Sequence, residues 1–302
     1  MNDTMIWFDG NMIPASTAHC SVLTHALHYG TGVFEGIRCY KTQTHPAIFR
    51  LEEHLQRFNK GTAVIGMHPD IGLMRQAILE VIAINQYTNA YIRPLAFYGT
   101  GGLGLDTSCL STHLAVMALP WTSHLGESAR LNGIRAKISS FRRNQAGAIP
   151  PLKITGAYVN SVLAKMESTR AGYDEALFVD DKDRICEATG ENVFVVKDGH
   201  IIAVKHSDAV SGITRQTVME FIGTEEREIS RQELLNADEI FLTGTSAEVV
   251  PLVELDGTYF PIGSVTRKVQ EMYQQVVHGE LSNYQHWLTY VESQKVNTLI
   301  NK

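Results

Sequence analysis

The chain has 302 residues, of which 44% are hydrophobic, and its 26 Lys plus Arg against 32 Asp plus Glu give a formal charge of −6. That length favours two domains with sizeable cores over one very large one. The acidic balance and the absence of a Lys/Arg run argue against a nucleic-acid partner, and no run of about 18 apolar residues offers a membrane span.

In chain order, MIWFDGNMIP reads as strand, turn, strand around the Asp9-Gly10 signal. SVLTHALHYG predicts a helix stopped by Gly30 and Gly32, and GVFEGIRCYKTQTHPAIFRL a strand pair. RLEEHLQRFNKGTAV has helical period, with Leu51, Leu55 and Phe58 on one face, and IGLMRQAILEVIAINQ is a second amphipathic helix. YIRPLAFYGTG and THLAVMALPW are β-rich and complete a small α+β unit. WTSHLGESARLNG is polar, contains glycine and lacks period, so it reads as a connection. GIRAKISSF opens a second unit, followed by the helix AYVNSVLAKMESTRAG and a strand meander through ALFVDDKDRICEATGENVFVVKDGHIIAV. The helix SGITRQTVMEFIG, the strands of EIFLTGTSAEVVPLVELDG and the helix GSVTRKVQEMYQQVVHG complete it. The expected division is a small N-terminal domain over 1–122, an interdomain loop over 123–135, a larger domain over 136–291 and a flexible tail over 292–302.

The opening MNDTMIWFDGNMIP lacks the basic start and apolar run of a secretory signal. Cys20, Cys39, Cys109 and Cys186 show no C-x-x-C pair, so buried reduced thiols in a cytoplasmic protein are expected. His25 and His28 stand three apart without a third ligand and His54 sits among helical charges, so no metal is expected.

Several residues have both a plain and a chemical reading. Lys153, after Pro150-Pro151 and before a helix, is either a solvated surface lysine or, if desolvated, a nucleophilic amine able to form a Schiff base. Glu187 is either a strand-end carboxylate facing water or the acid that keeps a pyridinium nitrogen protonated. Asn192, beside Gly190, is a turn residue or a hydrogen-bonder near a cofactor. Ser211 or Thr214 caps the helix that follows, and the same geometry leaves N–H groups for a phosphate, with Gly212 allowing close approach. Gly244-Thr245-Ser246 is a hairpin turn that also offers amides and hydroxyls to an anion. Arg57 pairs with Glu53 at i, i+4 or contacts a phosphate. Arg93, between Tyr91 and Pro94, is a charge that needs a partner or a ligand.

Taken in order, HALHYGTGVFEGIRCY, RLEEHLQRF, YIRPL, PPLKITGAY, EATGENVFVV, SGITR and GTSAE resemble the branched-chain aminotransferases of the class IV, fold type IV group. The resemblance runs from about Trp7 to the terminal helix. It implies an α+β, two-domain enzyme whose larger domain has a β-barrel-like core. The implied activity is pyridoxal 5′-phosphate-dependent transamination of branched-chain L-amino acids (Leu, Ile, Val) with 2-oxoglutarate. The implied assembly is a homodimer or an assembly of dimers, with Tyr29 and the Leu103 to Leu105 loop reaching a neighbouring subunit.

Carried over by position, the resemblance makes Lys153 the catalytic lysine that joins the cofactor covalently and then moves the substrate proton. Glu187 becomes the pyridine-nitrogen partner and Tyr158 the hydrogen-bonder to the phenolic oxygen, with Asn192 near the cofactor. Arg57, the backbone of Gly212, Ile213 and Thr214, and Thr245 hold the phosphate. The substrate α-carboxylate meets Thr245, Ser246 and Tyr91. Tyr29, Phe34, Leu103, Leu105 and Trp121 form apolar walls, and Arg93 accepts the second carboxylate of glutamate. Departures from the family pattern are His124 where tyrosine is common, Ala157 where asparagine is common and Ser211 in place of proline. They bear on substrate range more than on chemistry. Alternatives are a D-amino acid or (R)-amine transaminase, aminodeoxychorismate lyase, or a non-catalytic phosphate-ligand binding protein. YIRPL with GTSAE favours the branched-chain type, and a binding protein needs neither Lys153 nor Glu187.

Overall fold

The apolar spacing of RLEEHLQRFNKGTAV does fold as a helix, α2 (Leu51–Val64), after the short α1 (His25–Tyr29). Its Leu51, Leu55 and Phe58 are buried together, and Glu52 and Glu53 in the first turn suit the positive end of the helix dipole. In α3 (Ile71–Ile84), Asp70 caps the N-terminus by accepting from Leu73 N–H at 3.1 Å. Met74, Ala77, Ile78, Val81 and Ile82 form the buried stripe of that helix.

The computed structural model describes residues 4–121 and 126–291. His124 and the tail 292–302 lie outside the described residues. By internal contacts the chain forms two units, one of residues 1–122, 152–156 and 276–302, the other of 123–151 and 157–275. These cuts differ from the 1–122, 123–135 and 136–291 division read from sequence. The stretch around Lys153 leaves the second unit because its backbone bonds are made in the first: Phe34 N–H donates to the Lys153 carbonyl at 3.0 Å, Gly156 N–H to Gly30 O at 2.9 Å, and Val33 pairs with Ile154. Part of the expected connection is also ordered: α4 (Gly126–Asn132) buries Ala129. The Arg130 and Leu131 carbonyls at its end are taken by Arg267 and Gln270 side chains.

The first unit is built on an antiparallel sheet. β1 (Met5–Phe8) and β2 (Asn11–Pro14) form the opening hairpin. Where a strand pair was expected there are three strands: β3 (Gly32–Phe34), β4 (Ile37–Tyr40) and β5 (Ala47–Phe49). β6 (Ala90–Tyr98) and β7 (Thr112–Pro120) pair along their full length. The order is Leu288–Tyr290, β5, β4, β6, β7, β1, β2, with β3 also on β6.

Among the described residues the second unit has nine strands: β8 (Ile134–Ile138), β9 (Glu175–Val179), β10 (Ile185–Ala188), β11 (Asn192–Lys197), β12 (His200–Val204), β13 (Glu225–Arg227), β14 (Glu239–Gly244), β15 (Glu248–Leu255) and β16 (Thr258–Tyr259). They run β10-β9-β8-β15-β14-β11-β12-β13, with β16 on β15. The sheet curls until alternate residues of distant strands meet in one core, among them Leu177, Val179, Val193, Val195, Ile202, Ile240, Leu242 and Leu252. The opposite strand face is covered too: Phe178 and Cys186 pack with Ala164 of α5 (Tyr158–Arg170). Phe194 and Phe241 stack across β11 and β14 at 4.8 Å. Burial on both faces makes these strands near-continuous apolar runs. The fold is α+β. α6 (Ile213–Phe221), α7 (Arg231–Leu235) and α8 (Ser264–Val277) complete it, and α7 carries a Ser230/Glu233 capping box.

All four cysteines are free thiols; Cys39 and Cys186 are buried, whereas Cys20 and Cys109 are exposed, against expectation. Burial pushes the Cys39 thiol up to about 12, so it stays protonated and inert. Among the described residues no helix is long and apolar enough to cross a membrane.

Gly30 makes the docking of 152–156 possible. It closes α1 at φ +64, and a Cβ on it would stand 2.5 Å from Gly156 Cα. Gly30→Ala is expected to cost at least about 1–2 kcal/mol from the left-handed backbone alone, measured by urea unfolding. An unchanged midpoint would mean that this contact does not fix the Lys153 segment.

Candidate active site

A carboxylate without water must be paired, and the first unit buries one. Glu35 turns the chain from β3 into β4, its N–H bonded to Pro94 O at 2.9 Å and its side chain wholly enclosed. It accepts from Arg57 Nε at 2.7 Å and Nη2 at 2.9 Å, from His54 Nδ1 at 2.9 Å and from Gly36 N–H at 3.2 Å. Arg57 therefore does not pair with Glu53, as its i, i+4 spacing had suggested; Glu53 binds Arg50 at 2.7 Å. Burial raises the Glu35 pKa, but the Arg57 charge and the bonds from His54 and Arg57 outweigh it and hold the carboxyl far below its ordinary range. Burial drives the His54 imidazole the other way, below its ordinary value, against the pull of Glu35.

Lys153, half-buried, lies in the same unit with Nζ 5.1 Å from the centroid of the Phe34 ring. Arg93 Cζ stands 4.6 Å from that ring, and Arg93 Nη2 donates to Tyr91 Oη at 2.8 Å. Arg93 Nε is buried with no hydrogen-bond partner in the protein, so the charge expected to need a partner has one only in part. Gly36 makes room for Tyr91, since a Cβ there would stand 2.0 Å from its hydroxyl. Trp121 packs on Tyr91 with ring centroids 5.0 Å apart. Tyr29 and Leu103 are joined by a 2.8 Å bond from the Tyr29 hydroxyl to the Leu103 carbonyl, and both are exposed, as is Leu105.

In the second unit Glu187 is also buried rather than facing water. Its Oε1 accepts from Arg143 Nε at 2.6 Å and its Oε2 from Val210 N–H at 3.0 Å. Arg143 is steadied by Asn160 Oδ1 at 3.3 Å and Ser161 Oγ at 3.4 Å. Asn192 opens β11 rather than sitting in a turn, and its amide donates to Val210 O at 2.9 Å. Glu187 and Asn192 thus clamp the peptide that leads into α6. The N-cap is Gly212, not Ser211 or Thr214; no side chain caps the helix, and Ser211 Oγ accepts from Gln216 instead. A Cβ on Gly212 would meet Asn192 Oδ1 at 2.0 Å, so the glycine is what lets the Asn192 side chain pack against this backbone. The N–H groups of Ile213 and Thr214 lie in the first turn, where a helix has no partners of its own for them. Thr245 and Ser246 form the half-buried turn between β14 and β15, and the neighbouring Thr243 Oγ1 is buried without a partner in the protein. Tyr158 begins α5, next to the buried Ala157.

Sequence reasoning missed Glu35, the pairing role of His54, and Arg143. Glu35 had a signal, a carboxylate inside the apolar run GVFEGIRCY. Arg143, beside Arg142 in an irregular stretch, had none.

A family model of class IV amino-transferases matches residues 32–255. The branched-chain-amino-acid aminotransferase of Pseudomonas aeruginosa is 38% identical over 301 residues, covering 96% of this chain and 98% of that protein. The crystal structure of the Escherichia coli branched-chain amino acid aminotransferase superposes with a TM-score of 0.92 at 37% identity, covering 97% of this chain and 100% of that one. The branched-chain amino acid aminotransferase of Thermobaculum terrenum, solved in its PLP-bound holo form, superposes with a TM-score of 0.87 at 32% identity, with 96% and 99% of the two chains covered. The chain belongs to the class IV aminotransferase family, and these relatives within it are branched-chain enzymes.

The buried Glu35/His54 pair sets a pH dependence of stability. His54 in the fold binds a proton less readily than the unfolded chain, so below about 6.5 protonation of the unfolded state works against folding. Glu35 stays ionised in the fold far below 4.5, so its contribution is intact above that value and withdrawn as pH falls beneath it. Both signs agree. The urea midpoint is expected to drop from pH 7.5 to 5.5 and again towards pH 4, and His54→Gln to flatten the first drop. A first drop of equal size in that variant would assign it to other groups.

Proposed function

We propose that the protein is a pyridoxal 5′-phosphate-dependent enzyme that transaminates L-leucine, L-isoleucine and L-valine with 2-oxoglutarate, giving branched 2-oxo acids and L-glutamate. The observation that carries this reading is Lys153: its backbone is bonded to β3 and its half-buried amine rests over Phe34.

The residues present fit the cofactor. The first turn of α6 leaves the Ile213 and Thr214 amides without helical partners, and Thr243 Oγ1 is a buried hydroxyl without a protein partner beside the Thr245–Ser246 turn. Arg57, the amides of Gly212, Ile213 and Thr214, and Thr245 would hold the phosphate. Glu187 would hold a proton on the pyridine nitrogen, and Tyr158 and Asn192 would hydrogen-bond nearby. When bound, pyridoxal phosphate supplies an electron sink for the pair released at the substrate Cα.

Lys153 Nζ would hold the cofactor and, with an amino acid bound, would accept the proton from the substrate Cα and hand it on to the carbon that receives it. Thr245, Ser246 and Tyr91 would orient the α-carboxylate. Phe34, Trp121, Tyr29, Leu103 and Leu105 would exclude water around a branched side chain, and Arg93 would meet the distal carboxylate of 2-oxoglutarate.

We further infer a homodimer or an assembly of dimers. Supporting it is the stripe of Val159, Val162, Leu163 and Met166 exposed on α5, at helical spacing, and a second exposed group of Val22, Leu23, Leu27 and Leu105. Tyr29 and the Leu103 to Leu105 loop would then serve a neighbouring copy. Sedimentation equilibrium is expected to give at least twice the 33.5 kDa chain mass; a monomer at micromolar concentration would rule this out. Four free thiols accord with a cytoplasmic location.

The decisive assay is a panel of amino donors against 2-oxoglutarate. Turnover of the three branched L-amino acids is expected, and Lys153→Ala should lower it at least about a thousandfold while leaving the unfolding midpoint nearly unchanged. Turnover of D-alanine alone, pyruvate release from aminodeoxychorismate, or undiminished activity of Lys153→Ala would overturn the assignment.

A further inference from the structure

We propose that Glu35 is a positioning residue for Arg57, and through it sets the affinity of the protein for the phosphate ester of its cofactor. The proposal rests on the reading of the chain as a pyridoxal phosphate enzyme in which Arg57 contacts that phosphate.

The geometry is a side-on fork. Arg57 Nε and Nη2 donate to the two oxygens of Glu35 at 2.7 and 2.9 Å, which fixes the plane of the guanidinium as well as its position. Glu35 is itself immobilised. Its carboxylate also accepts from His54 and from Gly36 N–H, and its backbone is tied to Pro94. Its side chain is 1% exposed and that of Arg57 11% exposed, so water competes little with these bonds.

Two effects of opposite sign meet at such a pair. A free arginine side chain carries rotamer entropy that a phosphate would have to overcome; held on Glu35, that cost is met in folding. Against this, a carboxylate beside the guanidinium offsets part of the positive charge that attracts an anion. A residue that positions raises phosphate affinity, whereas one that merely compensates charge lowers it. Glu35 shares its charge among Arg57, His54 and Gly36 N–H, so it offsets only part of the positive charge of the guanidinium. Orientation is therefore the effect expected to prevail.

The test compares pyridoxal 5′-phosphate with pyridoxal, which lacks the phosphate, by absorbance titration of cofactor-free protein. Glu35→Gln keeps an acceptor but breaks the fork. It is expected to weaken pyridoxal phosphate binding about tenfold or more, the worth of a hydrogen bond to a charged group, while pyridoxal binding stays within about twofold. In an Arg57→Gln background the same change should leave the ratio of the two affinities unaltered, because a residue acting through Arg57 has nothing left to act through. Tighter or equal pyridoxal phosphate binding by Glu35→Gln would show charge compensation and overturn the proposal. Equal losses for both ligands would do the same, by assigning Glu35 to the fold. Should Glu35→Gln not fold, Glu35→Asp, which keeps the charge but shortens its reach, takes the same titration and the same criteria; failure of both to fold would also overturn it. Wild-type protein that binds pyridoxal and its phosphate equally would fail differently, removing the reading beneath the proposal.

Discussion

Removing a charge from water costs several kcal/mol unless a counter-charge and hydrogen bonds come with it, and this constraint organises the chemical residues of the protein. Each unit buries a carboxylate locked to an arginine: Glu35 to Arg57 in one, Glu187 to Arg143 in the other. Neither pair is a surface ornament of the kind worth a fraction of a kcal/mol. Each carboxylate is also held by a backbone N–H, Gly36 for Glu35 and Val210 for Glu187, so strand geometry and side-chain geometry are set by the same bonds. Replacing one partner leaves the other buried and uncompensated, which is strongly destabilising.

The backbone around these pairs is shaped by glycines where nothing larger fits. Gly30 lets the Lys153 segment lie against α1, and Gly212 lets the N-terminus of α6 lie against Asn192. In both places irregular chain meets a regular element. That is where backbone amides are unclaimed by ladders or helical turns. The Val210 peptide joins the two themes, since its N–H goes to Glu187 and its carbonyl to Asn192. A change at either side chain therefore reaches the first turn of α6 as well.

Much of this was legible in the chain. Local periodicity sufficed for α2, α3, α5, α6 and α8 and for the long β6/β7 pair, because burial of one face imposes a period that a window of residues can reveal. Charge partners were not legible. Arg57 reads as a partner of Glu53 because i, i+4 is the rule available along a helix, whereas its real partner lies 22 positions away across a turn. Nothing local distinguishes Arg143 from Arg142, yet only Arg143 bonds the Glu187 carboxylate. The return of residues 152–156 to the first unit had no local signal for a similar reason. Leu152–Gly156 follows the second unit's first strand in sequence but bonds to Gly30, Val33 and Phe34, and long-range pairing leaves no trace in composition. The helix α4 was hidden because, among its described residues, a buried alanine and carbonyls claimed from α8 carry it, rather than an apolar stripe.

Phe34 shows how one wall could serve two kinds of substrate side chain under the proposed function. Its ring has Lys153 Nζ at 5.1 Å and Arg93 Cζ at 4.6 Å from the centroid. A ring face attracts a cation without neutralising it, so Arg93 can rest against Phe34 and Tyr91 and keep its charge. An apolar side chain then meets aromatic surface, while a distal carboxylate meets a guanidinium already oriented by its bond to Tyr91. A carboxylate partner for Arg93 would have closed that second option, because an incoming anion would have to displace it. The contrast with Arg57, which is bound to Glu35, is instructive. Under the proposed function, an arginine for a permanent ligand would be fixed by a carboxylate, whereas one for an alternating ligand would be better held by aromatic faces and a phenol.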